Sequence, residues 1–324
     1  MREPGSDPNR DEFSVLKTSL LLSCCFILPI FSPVPFSWFS GFLAVPVFYL
    51  LRTLPKQRGK VVIRNTLLLV GLLGLASFEK LPAVALTLTF IPLGYSLYAS
   101  AEKGEAPWMG VGKGTLVLAA TWLLLGLGLA ASFGVNPYTE LKLNLDNLLS
   151  ELYETAKTSE IPADALIDFK QWVDSMRELA PRILPGVLVT SIMITVWMNQ
   201  LLGNIILIKT RPERAAWPEY RNWLVPDKFV WVLITAGIIL LIGSGTLRDL
   251  GLCVCFISGV IYFFQGLAIL FHYFNKWNIP NLLRIIMVLV IIIQTMAFLL
   301  VALVGLIDTW KDFRQLRPND PQPV

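Results

Sequence analysis

The chain has 324 residues, of which 55% are hydrophobic and only 15% are charged, and its formal net charge is +4. Soluble domains carry about a quarter charged residues, so this composition excludes an ordinary soluble protein and indicates one embedded in a membrane. Because the apolar residues fall in long uncharged blocks, we predict an all-α fold. It is a polytopic bundle of about eight or nine transmembrane helices, with an amphipathic helical hairpin outside the membrane.

The first half of the chain is predicted to be a bundle of transmembrane helices. A polar N-terminal tail covers residues 1–17 and the bundle covers residues 18–134, with spans at 18–31, 36–51, 65–77, 81–100 and 114–134. The loop at residues 52–64 holds five basic residues and no acidic residue. The positive-inside rule therefore places this loop in the cytoplasm.

Residues 135–180 form a long polar segment with nine acidic and four basic residues, a net charge of −5. Helical periodicity predicts two amphipathic helices in this segment. Because the outer face tolerates acidic segments, we predict that the two helices form an acidic extracytoplasmic hairpin. Their apolar faces pack on each other, lie on the membrane surface or bind a partner, and mutual packing is the default expectation. The predicted faces contain Leu141, Leu145, Leu148, Leu149 and Leu152 in the first helix, and Leu166, Phe169, Val173 and Met176 in the second.

The second half contains a further predicted bundle at residues 181–309 and a polar tail at residues 310–324. Its spans are expected at 183–208, 229–245, 250–273 and 282–307, and a second basic loop lies at 209–228. Nine spans with a cytoplasmic N-terminus place the C-terminus outside. The tail carries Lys311, Arg314 and Arg317, however, and the positive-inside rule disfavours these bases on the outer side. One span is therefore miscounted or re-entrant.

The apolar segment at 258–274 carries a line of polar side chains. Ser258, Tyr262, Gln265, Ile269 and His272 follow helical steps of four and three, so they share one face. Such a face binds a small polar ligand or a lipid headgroup, or it hydrogen-bonds neighbouring helices, and we favour the second interpretation. The candidate ligand-binding residues are Tyr262, Gln265, His272, Asn199, Asn204 and Gln294.

Several short motifs in the second half resemble the YybS-like family of predicted bacterial membrane proteins, a family with no assigned function. The resemblance is clearest from residue 191 to residue 314 and implies a multi-pass protein of the bacterial cytoplasmic (inner) membrane. The first half is similar in overall shape to the substrate-binding subunits of energy-coupling vitamin transporters and to MreD-type cell-shape proteins. The motifs are WMN at 197–199, WLVP at 223–226, FVW at 229–231, YFFQGLAI at 262–269 and DTWKDFR at 308–314.

The residue types argue against an enzyme. A single histidine excludes multi-histidine metal sites, no Walker A sequence is present, and the four cysteines lack the spacing of a zinc site. We therefore expect no catalytic residue, no metal and no cofactor. Two hypotheses follow. The first is a non-catalytic scaffold or accessory subunit of a membrane complex. The alternative is a ligand-binding or transport subunit that needs an external motor.

The two hypotheses differ in the partners that they require. Membrane lipids and other membrane proteins are expected for the scaffold, whereas a small-molecule ligand belongs to the alternative. Nucleic acid is not expected, because the basic residues cluster beside the predicted spans. A bundle sealed by packed side chains favours the scaffold, and a cavity lined by Gln265 and His272 favours the ligand-binding subunit.

Overall fold

The computed structural model describes residues 8–134, 136–159 and 162–316. All regular secondary structure within these ranges is helical, which confirms the predicted all-α fold. The chain divides into two compact units. One comprises Met1–Val135 with Ile192–Pro218, and the other comprises Asn136–Ser191 with Glu219–Val324.

The first unit is a bundle in which α1 packs on α4, and α6 packs on both α3 and α7. The α3–α6 contact is close because α6 presents Gly94 there: a Cβ on Gly94 would lie only 2.5 Å from Cγ1 of Val47. Small residues allow such close helix approaches in membranes. The helices are α1 (Pro8–Phe31), α2 (Pro33–Phe36), α3 (Ala44–Thr53), α4 (Lys56–Ala76), α5 (Leu81–Leu88), α6 (Phe90–Glu102) and α7 (Pro107–Phe133), with 3₁₀ turns at Ser37–Phe42, Phe78–Lys80 and Pro212–Arg214.

The second unit is organised around its long apolar helix α11, which packs on α10 and α13. Helix α9 contributes its residues up to Ser191 to this unit and the remainder to the first unit. The helices are α8 (Pro137–Thr158), α9 (Ala163–Thr210), α10 (Val230–Ile242), α11 (Gly245–Lys276), α12 (Asn281–Ile293) and α13 (Thr295–Lys311), with 3₁₀ turns at Tyr220–Asn222 and Asp227–Phe229.

Helix α9 joins two elements that are separate in the sequence-based prediction. The second amphipathic helix and the span expected at 183–208 form one continuous helix of 48 residues, despite Pro181 and Pro185 inside it. At 1.5 Å per residue it is about 72 Å long, more than twice the thickness of the hydrocarbon core of a bilayer. Part of α9 therefore extends beyond any single membrane crossing.

Mutual packing covers only part of the apolar faces of α8 and α9. Leu149 on α8 and Val173 on α9 are buried. Arg177 of α9 donates from Nε to Asp146 Oδ1 at 3.0 Å and from Nη2 to Ser150 Oγ at 2.6 Å. Three leucines of the predicted α8 face stay exposed, namely Leu141 (38%), Leu148 (52%) and Leu152 (42%).

The number of candidate membrane spans lies at or below the lower end of the expectation. Within the described ranges, six helices are long and apolar enough to cross a membrane, or up to eight if each of two bent helix pairs is one span. Helix α10, in the predicted span 229–245, has 13 residues. It is therefore about 20 Å long, too short for a hydrocarbon core of about 30 Å.

The last predicted span, 282–307, is not a straight helix. It consists of α12 and α13, which are bent by 103° where they meet at Gln294, a residue in extended conformation. Beyond α13, Arg314 donates from Nη1 to the carbonyl oxygen of Arg221 at 2.8 Å. The chain after α13 thus lies beside residues 221–223, which precede α10.

Candidate functional site

Helices α11 and α13 of the second unit cross at two glycines that bring their backbones into contact. A Cβ on Gly266 would lie 2.0 Å from the carbonyl oxygen of Val301, and a Cβ on Gly305 would lie 2.0 Å from that of Tyr262. No side chain larger than a hydrogen atom fits at either position. This crossing places Gln265, next to Gly266, against the residues at the end of α13.

Gln265 uses both ends of its side-chain amide on the protein itself. Its Nε2 donates to Asp308 Oδ2 on α13 at 3.0 Å, and its Oε1 accepts from the backbone N–H of Val225 at 3.3 Å. The residue is only 3% exposed. Gln265 therefore ties α11 to α13 and to the loop that precedes α10.

Asp308 and Arg314 form a fully buried ion pair. Arg314 Nη2 donates to Asp308 Oδ2 at 2.9 Å, and neither side chain is exposed. The second carboxylate oxygen accepts from the backbone N–H of Phe313 at 2.9 Å. Arg314 Nη1 donates to the carbonyl oxygens of Arg221 at 2.8 Å and Trp223 at 2.9 Å. We call Gln265, Asp308 and Arg314 the buried polar cluster.

The backbone after α13 makes this geometry attainable. Asp312 adopts a left-handed conformation with φ of 40°, which turns the chain back so that Arg314 reaches Asp308. A buried charge is costly unless it is paired and hydrogen-bonded. Nη1 and Nη2 of Arg314 meet that condition, whereas its Nε is buried without a hydrogen-bond partner in the described ranges. Removal of one partner costs more than the intact pair contributes. The buried polar cluster therefore fixes one arrangement of α11, α13 and the loop at 220–226.

The other predicted site residues of this unit have different surroundings. Tyr262 is 1% exposed, and its ring centroid lies 6.0 Å from that of Phe229. His272 is half-buried, with its ring edge-to-face against Tyr273 at 5.6 Å. Gln294 is exposed at the break between α12 and α13. The predicted face is thus buried at Tyr262 and Gln265 and partly open at His272.

The hydroxyl of Tyr220 gives a further link between the second basic loop and α11. It donates to the carbonyl oxygen of Phe264 at 2.6 Å. Burial raises the pKa of this phenol well above its usual value, and the nearby Arg314 opposes the shift. Tyr220 therefore remains a neutral donor at physiological pH, which suits a structural hydrogen bond.

In the first unit, Asn204 organises the loop that follows α9. Its Nδ2 donates to the carbonyl oxygen of Trp217 at 2.9 Å, and its Oδ1 accepts from the backbone N–H of the same residue at 3.1 Å. The indole Nε1 of Trp217 donates to the carbonyl oxygen of Glu105 at 2.9 Å, and its ring stacks on Phe48 at 5.6 Å. Asn204 is 2% exposed, and its two hydrogen bonds fix the backbone of this loop at Trp217.

Asn199 and Gln200 connect α9 to other parts of the first unit. Asn199 Nδ2 donates to the carbonyl oxygen of Gly41 at 2.7 Å, and Gln200 Nε2 donates to that of Pro107 at 2.8 Å. Gly110 leaves room for the Gln200 amide, since a Cβ there would lie 2.6 Å from Gln200 Oε1. Gln200 is not among the predicted site residues, although its side chain is as buried as that of Asn199.

Ion pairs connect several helices and loops of the first unit near its basic residues. Arg52 Nη1 lies 2.5 Å from Glu102 Oε1, and its Nη2 donates to the carbonyl oxygen of Arg214 at 2.8 Å. Lys113 pairs with Glu105. The hydrogen bond from Lys113 lowers the pKa of the Glu105 carboxyl below its usual value. The contacts of Arg52 join the two basic loops.

The strongest polar constellation in the described ranges is only half predictable from the sequence. Helical spacing identifies Gln265 as a candidate site residue. It does not identify its partners, because Asp308 lies at the end of the predicted second bundle and Arg314 lies in the predicted tail. The signal that is present is an acid and an arginine six residues apart, directly after an apolar block. In the described part of the chain, no group of three or more His, Cys, Asp or Glu is arranged to hold a metal ion.

Comparison with known proteins gives one informative match. A family model described as "Predicted membrane protein (DUF2232)" matches residues 20–309. No curated protein and no solved structure matches the chain. The matched range includes most of the first unit, the hairpin of α8 and α9, and Asp308, whereas Arg314 lies just beyond it.

Proposed function

Because this chain belongs to the DUF2232 family of predicted membrane proteins, we propose a role within the membrane as a non-catalytic scaffold or accessory subunit of a membrane-bound complex. The observation that carries the proposal is the use of the polar side chains. Gln265 engages both its donor and its acceptor with Asp308 and Val225. Asn204 likewise engages both with the backbone of Trp217. The side chains of Gln265 and Asn204 therefore link helices and loops of the protein through hydrogen bonds.

The docking surface that we propose for a partner is the exposed side of α8. Leu141, Leu148 and Leu152 follow steps of seven and four, so they share one side of the helix, and all three are exposed. The surrounding segment 135–180 carries a net charge of −5. A partner with a basic amphipathic surface matches both features, since charge steers the encounter and apolar contact supplies most of the binding energy.

The motifs at 197–199, 223–226, 262–269 and 308–314 support a relation to the YybS-like family, and with it a location in the bacterial cytoplasmic membrane. The absence of catalysis is supported by the sequence, which has one histidine and no Walker A motif. The expected partners are membrane lipids and other membrane proteins.

Substitutions on α8 test the proposal. The triple variant Leu141→Ser, Leu148→Ser, Leu152→Ser should lose a partner that co-purifies with the natural protein in gentle detergent. A control with three Ser substitutions at Lys142, Asn147 and Glu151 of the same helix should keep it. Gel-filtration profiles of both variants establish that the fold survives. Equal recovery of the partner with both variants would contradict docking at the leucine face.

A second candidate function has one observation in its favour. The Oδ1 atom of Asn199 and the Oε1 atom of Gln200 are buried and accept no hydrogen bond from the described part of the chain. The two acceptors point about 100° apart around α9, so each suits a separate donor of a small ligand that brings its own donors. A ligand-binding subunit predicts that Asn199→Leu or Gln200→Leu abolishes function while the α8 triple variant retains it.

A further inference from the structure

Helices α10 and α11 of the second unit border an open groove of about 360 Å³. This volume is within the range of about 300–1,000 Å³ that is typical of ligand sites. Gly251, which lines the groove, allows α10 and α11 to approach closely, since a Cβ there would lie 2.9 Å from the backbone nitrogen of Leu240. The walls include Trp231, Val232, Ile239, Leu250 and Val254.

The walls of the groove are almost entirely apolar and suit hydrocarbon. The one hydroxyl among the lining residues belongs to Thr235, and it donates to the backbone carbonyl oxygen of Trp231 at 2.6 Å. Trp231 is 66% exposed and Leu250 is 58% exposed, so the groove is open along its side. The distance from Trp231 to Ile239 along α10 is about 12 Å, which suits an extended chain rather than a compact ligand.

A basic residue, Arg248, comes just before the groove-lining residues of α11 in sequence. Arg248 is on α11, one turn before Gly251, and its side chain is exposed. Its backbone packs where α10 ends, because a Cβ on Gly243 would lie 3.5 Å from Cα of Arg248. Asp249 follows in sequence but points about 100° away around the helix. Arg248 makes no ion pair with any residue in the described ranges.

The position of Arg248 along α11 matches the level of lipid headgroups. Helix α11 has 32 residues and is therefore about 48 Å long, so it exceeds a hydrocarbon core of about 30 Å by roughly 9 Å at each end. Arg248 lies about 5 Å from the start of the helix, within that excess. Leu250 and Val254 lie about 3 Å and about 9 Å further along the helix, toward the level where acyl chains begin.

We propose that this groove binds one acyl chain of an anionic phospholipid, whose phosphate is held by Arg248. The guanidinium binds a phosphate through two parallel N–H donors, and a cation without an acidic partner favours a lipid of net negative charge over a zwitterionic one. The site is independent of the proposed docking surface on α8, so either assignment can fail without the other.

Retention of defined lipids tests the proposal. The full-length protein is reconstituted into vesicles of equal parts phosphatidylglycerol and phosphatidylcholine, extracted in mild detergent and weighed by native mass spectrometry. The natural chain should retain one phosphatidylglycerol. Arg248→Gln should lower that occupancy by about tenfold, since it removes a charged phosphate contact. Val232→Phe should lower it by filling the groove.

Two matched substitutions serve as controls. Ile234→Phe adds the same ring to a residue of α10 that is similarly exposed but does not line the groove. Lys276→Gln removes a cation at the opposite end of α11. Both variants should retain the lipid. Equal retention of the two lipids by the natural chain, or unchanged occupancy in Arg248→Gln, overturns the proposal.

Fluorescence gives a second measurement that does not require the Val232→Phe variant to fold. Phosphatidylglycerol with brominated acyl chains should quench Trp231, measured as the difference between the natural chain and Trp231→Phe. Brominated phosphatidylcholine should quench it less, and Arg248→Gln should remove the difference between the two lipids. Identical quenching by both lipids in the natural chain contradicts a site that selects an anionic lipid.

Discussion

Removal of the Asp308 carboxylate should destabilise the protein more than the loss of any surface ion pair. In Asp308→Ala, the donors on Gln265, Phe313 and Arg314 all lose their acceptor. The guanidinium of Arg314, whose side chain is not exposed at all, keeps its charge without an anionic partner. Breaking a buried pair in this way costs about 3–5 kcal/mol. At about 1.4 kcal/mol per factor of ten, the unfolding equilibrium constant should rise by more than about a hundredfold.

The matched control is an ion pair of the same type on the surface. Arg182 and Glu178 form an i,i+4 pair in α9 at 2.7 Å, with exposed side chains. Glu178→Ala should cost about 0.3–0.5 kcal/mol. The assay is unfolding in mixed micelles with increasing dodecyl sulfate, followed by circular dichroism. If Asp308→Ala and Glu178→Ala shift the midpoint equally, the buried ion pair has no structural role.

A double-mutant cycle separates the pair from the cost of leaving one charge alone. Asp308→Ala and Arg314→Ala should each destabilise strongly, whereas the double variant should cost much less than their sum. Additive effects would show that the two side chains act independently. That result would refute the interpretation of Gln265, Asp308 and Arg314 as one buried polar cluster.

Three further substitutions, one of them with a matched control, have defined outcomes. Gly266→Ala should destabilise by more than about 1–3 kcal/mol, because its Cβ would meet the backbone of α13. Gly259→Ala on the same helix, with open space around it, should be neutral or stabilise by up to about 1 kcal/mol; midpoints in the same assay compare the two. Asn204→Ala should release the loop at Trp217, seen as faster trypsin cleavage after Arg214 in the same loop. The pKa of Glu105 is lowered in the folded protein, so its stabilising contribution exists above the unfolded pKa of about 4.3 and disappears as pH falls through the folded value. Glu105→Gln should therefore lose less thermal stability than the natural chain on acidification below pH about 4.5.

The helical class and the polar face of α11 follow from local sequence, because both depend on periodicity along one helix. Gln265 is identified by its spacing from Tyr262. Its partner Asp308 lies 43 residues away, and no local pattern specifies which helices cross. Arg314 comes after α13, and the left-handed turn at Asp312 that returns it to Asp308 has no glycine to announce it.

Predicted helix boundaries are wrong where tertiary packing opposes local signals. Pro181 and Pro185 are normally helix breakers, yet α9 continues through both, as membrane helices can when neighbouring groups satisfy the freed carbonyls. At Gln294, in contrast, the helix breaks although no helix-breaking residue is nearby. The segment 281–304 contains neither proline nor glycine, so local propensity does not predict the bend of 103° between α12 and α13.

Native mass spectrometry of the protein, extracted gently from its own membrane, tests the scaffold assignment most directly. The scaffold assignment predicts a stoichiometric protein partner that is present with Gln265→Leu and absent with the triple serine variant at Leu141, Leu148 and Leu152. A bound small molecule that disappears in Gln265→Leu or His272→Ala, with no protein partner, would contradict it. That result would make the polar face of α11 a ligand site.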